Sequence, residues 1–158
     1  MILAAVGTFI KGFDELVAAA DEAAFALALE GFAQIGHSSV RPRHLAYARF
    51  LDGKDLRERL DASRVLVCHG GMGLIGDGLR AGRHVVVLPR RGAIRRGHPA
   101  NDQIAFCRRL AERFPIELCE TAEGVQGAVA RCLERPLPAP LADVSDVPER
   151  LKAFLQSF

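Results

Sequence analysis

The sequence predicts an α/β fold, a single Rossmann-like domain with a mostly parallel sheet flanked by helices. Three observations predict it. Short apolar runs of strand length alternate with longer stretches whose apolar residues recur at helical spacing. Strand-like runs close in glycine, most clearly where VLVC runs into HGGMG. A chain of 158 residues has the size of one domain with a buried core.

Taken in order, Ile2–Val6 reads as a short buried strand ending in Gly7 and Thr8. Phe13, Leu16, Val17, Ala20, Ala24 and Leu27 then share one helix face. Phe32–Ile35 is a second strand, closed by Gly36, His37, Ser38 and Ser39, and Tyr47–Leu51 a third. Lys54–Leu60 is a short helix. Val65–Cys68 is a strand, HGGMG a turn, and Leu74–Ala81 a helix that Gly82 ends. Val85–Leu88 is the next strand, stopped by Pro89. Asn101–Phe114 reads as a long helix, Ile116–Cys119 as the last strand and Ala122–Leu133 as the last core helix. Residues 1–134 thus make one ligand-binding domain, and the proline-rich 135–145 an extended connector. In 146–158, Asp146 and Glu149 resemble a capping box, and Val147, Leu151, Phe154, Leu155 and Phe158 share one face of an amphipathic helix.

The composition, 49% hydrophobic and 25% charged, is that of an ordinary globular protein. A net charge of +2 makes no general case for nucleic acid, and none is expected as a partner. The basic residues that do cluster are Arg90, Arg91, Arg95 and Arg96. Cys68, Cys107, Cys119 and Cys132 form no CxxC pair and sit in apolar or helical contexts, which fits a reduced cytoplasmic compartment better than a disulfide framework or a zinc site. MILAAVGT is too short and too soon broken by glycine for a signal peptide, and no run reaches the length of a membrane span.

The HGGMG turn carries the chemistry. A parallel strand that ends in glycines and feeds a helix brings backbone close to an anion and aims unpaired helix N–H groups at it. Gly70, Gly71 and Gly73 are assigned to that task; the plain alternative is a tight connection that needs glycine only for its geometry. Gly71–Gly76 also satisfies GxGxxG, but it lies mid-chain, and Pro89, Arg90 and Arg91 stand where an acidic residue is expected. An NADP-dependent oxidoreductase is therefore the lesser reading. Gly36–Ser39 falls short of a hydrolase nucleophile elbow, because Val40 stands where GxSxG needs glycine.

Five segments in order, VGTFIKGFDELV, AQIGHSS, HGGMGLIGDGL, VVVLPRR and HPANDQ, resemble the C-terminal domain of glycosyltransferase family 28 over roughly Met1 to Leu133. That domain is the nucleotide-sugar-binding half of a two-domain, GT-B type transferase. The resemblance is greatest to small soluble subunits whose acceptor-binding half is a separate membrane-associated polypeptide. Such pairs build dolichol-linked chitobiose in eukaryotes and exopolysaccharide repeat units in bacteria.

The resemblance implies a hexosyltransferase that uses a UDP-sugar as substrate and needs no further cofactor; the sequence itself shows no DxD-like metal motif. It implies a lipid-linked acceptor and activity only with the partner subunit, which would hold the general base and recruit this chain to the cytoplasmic face of a membrane. By position, the turn residues His69, Gly70, Gly71, Met72, Gly73 and Leu74 would cradle the diphosphate, with Gly7 and Thr8 facing it. Asp77 stands where glutamate usually meets the ribose, Gly78 where alanine is usual, and Leu74 where threonine is common. Asn101, Asp102 and Gln103 would read the donor sugar, and Phe50 and Leu51 would meet the uracil. Arg90 or Arg91 would stabilise departing UDP, and His98 lies near the donor.

Each residue also has a structural alternative. Asp77 fits a helix-surface acid, Asn101 a helix cap with Asp102 in its first turn, Phe50 a core residue and His69 a strand end. A non-catalytic nucleotide-binding or regulatory module is the alternative of a different class, with Leu74 and Gly78 as its support.

Overall fold

The structure, a computed structural model, describes residues 1–92 and 102–142. Six parallel strands stand in the order β3-β2-β1-β4-β5-β6. They are β1 (Ile2–Ala5), β2 (Gly31–Gln34), β3 (Ala46–Ala48), β4 (Val65–Cys68), β5 (His84–Val87) and β6 (Ile116–Leu118). The helices are α1 (Asp14–Ala26), α2 (Gly53–Ala62), α3 (Met72–Arg80), α4 (Ile104–Ala111) and α5 (Gly124–Glu134).

Alternation along the central strands builds two cores. Ile2, Ala4, Val6, Val65, Val67, Val86 and Leu88 pack with α1 and α5. Leu3, Ala5, Leu66, Cys68, Val85 and Val87 pack with Leu60 of α2, Ile75 and Leu79 of α3, and Cys107 and Leu110 of α4. All four cysteines are free and buried.

α1 is alanine-rich, with Asp14 and Glu15 in its first turn, where negative charge suits the helix dipole. Its entry is capped from a distance, as Phe13 N–H donates to Ser38 Oγ at 2.8 Å. Its exit turns through Ala28 at φ +51°, with Leu29 N–H donating to Ala24 O at 2.8 Å. α2 is capped by Asp52, whose Oδ1 accepts from Asp55 N–H at 2.8 Å. α3 ends in a Schellman turn: Gly82, at φ +62°, donates to Leu79 O and Arg83 to Gly78 O.

Several boundaries differ from those expected. β3 stops at Ala48, and α3 starts two residues before Leu74. α4 spans only Ile104–Ala111, because the chain tightens at Leu110 ahead of Pro115, which disfavours helix at Phe114. Near the end of the described residues, the segment after α5 touches α3, where Leu141 N–H donates to Leu79 O at 2.9 Å. The expected C-terminal helix, with Arg95, Arg96, His98 and Asn101, lies outside the described residues.

Candidate functional site

The strand order reverses between β1 and β4, and in open parallel sheets the crevice beyond that point receives ligands. Two loops meet there. After β1 the chain turns through Gly7, at φ +74°, into exposed Thr8, Phe9 and Ile10. After β4 it passes through His69, Gly70 and Gly71 into α3.

Glycine is required at these contacts by close approach. A Cβ on Gly7 would lie 2.7 Å from His69 Nε2, and one on Gly71 2.2 Å from His69 Cε1, so the imidazole ring sits against both. A Cβ on Gly70 would lie 2.4 Å from Cys107 Sγ. Gly73 differs: nothing lies within 4 Å of the position its Cβ would take. α3 opens on Gly71 with no side-chain cap and no acid in its first turn. Its first N–H groups lack intrahelical acceptors, and their partial positive charge makes this end fit for an anion. Met72 is exposed, and Leu74 leans on the core.

Gln103 ties the site together. Its Oε1 accepts from Gly70 N–H at 2.9 Å and from Arg90 N–H at 3.0 Å. Its Nε2 lies 3.2 Å from His69 Nδ1. Burial first, then the positive charge of Arg90, holds the His69 pKa below the usual histidine value, which favours the neutral ring.

Other residues assigned from the sequence take different places. Arg90 is 7% exposed and is a clamp within the protein. Its guanidinium donates to Gly12 O at 2.8 Å and to Lys11 O and Val6 O at 3.1 Å, and lies against Phe13. Three backbone carbonyls thus occupy the guanidinium that the sequence offers to a departing phosphate. Arg91 is exposed and donates to Glu120 O. Gln103, expected to read a sugar, has its carbonyl oxygen occupied by two backbone donors. Asp102 is exposed and accepts Ile104 N–H at 2.9 Å at the head of α4. Asp77, half-buried on α3, pairs with Arg80 at 2.6 Å. Phe50 follows β3, two strands from β1, edge-on to His37, while Leu51 packs beside α2. Gly78 is a packing glycine: a Cβ there would lie 2.7 Å from Val85 and 2.9 Å from Leu66.

Gln34 was not foreseen. It ends β2 as a buried amide that holds the Gly7 loop from below, and its signal was one polar residue in an otherwise apolar strand.

Together these features define a Rossmann-like domain of the kind that forms one half of GT-B glycosyltransferases, similar to their C-terminal half. The comparisons with solved structures give that fold. The glycotransferase of kitacinnamycin matches with a TM-score of 0.65 and 22% identity, over 85% of this chain and 35% of its own. MurG of Acinetobacter baumannii matches with a TM-score of 0.59 and 18% identity, over 87% of this chain and 42% of its own. The glycosyltransferase VinC in complex with dTDP matches with a TM-score of 0.56 and 17% identity, over 85% of this chain and 33% of its own. This chain thus spans well under half the length of these neighbours. No protein-family model and no curated protein matches the sequence.

Proposed function

We propose that the chain is the donor-binding part of a glycosyltransferase that moves a hexose from a UDP-sugar to a lipid-linked acceptor. It would act in polysaccharide or glycan assembly with a membrane-associated acceptor-binding subunit, on the cytoplasmic face of a membrane. One observation carries the reading: the uncapped head of α3 opens at the reversal between β1 and β4, over glycines. A diphosphate there meets unpaired N–H groups from Met72 to Leu74, with Gly73 leaving room for its oxygens.

As the sugar is transferred, negative charge grows on departing UDP, and the same N–H groups and the α3 dipole oppose it. The donor sugar extends toward Asp102, and Asp77 is within the same helix for the ribose. Exposed Phe9 and Ile10, beside Thr8, form an apolar rim suited to the acceptor-binding subunit, which supplies the general base. A VinC structure holds dTDP, which supports a nucleoside diphosphate as the ligand class. Packing accounts for Gly78, which leaves the non-catalytic alternative with Leu74 alone. Among the described residues, no helix is long and apolar enough to cross a membrane, so membrane attachment in this reading comes through the partner.

Calorimetric titration with UDP, dTDP, UDP-GlcNAc, UDP-glucose, UDP-glucuronic acid, NADPH and inorganic phosphate tests the reading. Saturable binding of UDP and of at least one UDP-sugar, tighter than phosphate or NADPH, is expected. Affinity for UDP no better than for phosphate overturns it.

A further inference from the structure

We propose that Gln103 is a positioning residue that fixes the proton of His69 on Nε2 and makes the ring a neutral donor at the candidate anion site. The inference rests on the inventory of donors and acceptors. Two backbone N–H groups, those of Gly70 and Arg90, point at one atom of the Gln103 amide, at 2.9 and 3.0 Å. Only the carbonyl oxygen accepts, so that atom is Oε1 and the amide cannot be flipped without setting its NH2 against two donors. Its NH2 group then faces His69 Nδ1 at 3.2 Å. An NH2 has nothing with which to accept, so Nδ1 must be the bare nitrogen, and the single ring proton sits on Nε2.

The Nε2 edge is turned toward Gly7, at the mouth between β1 and β4, where a Cβ would lie only 2.7 Å away. The groups facing the ring are Gly7 after β1, Gly71 at the head of α3, Gln103 before α4 and Arg90 after β5, of which Arg90 alone is charged among the described residues. A second ring proton would meet both the Gln103 hydrogens and the Arg90 charge. His69 therefore offers an anion one N–H and no net charge, adding to the N–H groups of α3. This deepens the donor-binding reading and rests on it for the identity of the anion.

The test reads the ring itself. Long-range ¹⁵N–¹H correlation spectra of the full chain, labelled at histidine and free of ligand, are recorded across pH 5 to 8. The wild type is expected to show a pyridine-like Nδ1, a protonated Nε2 and a titration midpoint below the ordinary ~6.5. Gln103→Glu keeps one oxygen for the two backbone donors and places the other at Nδ1 as an acceptor. The proton should then move to Nδ1 and the midpoint should rise above ~6.5. A wild-type ring protonated on Nδ1, or a Gln103→Glu ring unchanged in tautomer, overturns the proposal. Should Gln103→Glu fail to fold, the wild-type spectrum decides alone. Failure of UDP to bind would remove the donor reading and leave this measurement intact.

Discussion

Gln34 and Gly7 exchange two hydrogen bonds: Gly7 N–H donates to Gln34 Oε1 at 3.0 Å, and Gln34 Nε2 donates to Gly7 O at 3.1 Å. A side-chain amide thereby copies a strand partner just beyond the point where the ladder of β1 and β2 ends. The same Nε2 reaches Arg49 O at 3.0 Å and joins a third loop to the pair. Gln34→Leu keeps the bulk and strands these groups, at a cost of about 1–3 kcal/mol. Urea unfolding should show that loss, and UDP binding should weaken with it because the Gly7 loop loses its support.

Two glycines of one turn should respond in opposite ways. Gly70→Ala drives a methyl into Cys107 Sγ, with Gln103 Cβ at 2.9 Å behind it, and should destabilise the fold by about 1–3 kcal/mol. Gly73→Ala meets open space in a helix and should raise stability by up to about 1 kcal/mol. If the head of α3 holds phosphate, Gly73→Ala also weakens UDP binding several-fold. Thermal melts beside titrations separate the two effects.

Ala28 holds a left-handed conformation at φ +51°, which costs an L-residue about 1–2 kcal/mol. Ala28→Gly relieves that strain, offset in part by the greater freedom of glycine in the unfolded chain. A net gain of about 0.5–1 kcal/mol in urea unfolding is expected.

Asp21 makes acid stability testable. Burial raises its pKa, but the N–H groups of Arg43, His44 and Leu45 outweigh burial and hold it below the usual carboxylate value. A pKa lower in the folded state than in the unfolded one gives stability that is present above the unfolded value of ~3.9 and fades as pH falls through the folded value. Asp21→Asn should be less stable by about 1–3 kcal/mol at neutral pH. Denaturation midpoints should show that gap constant above about pH 5 and closing below ~3.9.

What was legible in the sequence was what local pattern encodes. The run from Val65 through HGGMG into α3 has valines that demand a buried strand and glycines that demand close backbone, and both lie where expected. Arg90 was not legible, since it stands in a basic run and such runs read as solvated charge. Its burial is decided by carbonyl groups at Val6, Lys11 and Gly12, about eighty residues earlier in the chain. In the sequence Gln103 presents only an amide suited to a ligand. Its three contacts come from His69 and Gly70 in the turn after β4 and from Arg90 in the loop after β5, and no local spacing announces such a meeting. The short α4 had a visible cause in Pro115, whose effect reached further back along the chain than expected.

The placement of β1 at the centre of the sheet bears on how the polypeptide acquires its shape. β1 pairs with residues 31–34 on one side and 65–68 on the other, and it has no hairpin neighbour to zip against. Its first completed ladder must close a loop of about thirty residues, and its second waits until Cys68 has been synthesised. Parallel pairing of such separated segments is slow relative to helix formation, because chain entropy is surrendered before contacts return it. During translation, therefore, the buried apolar strand β1 stays unprotected until both partner segments have emerged, and in that interval Ile2 and Leu3 are open to off-pathway contacts.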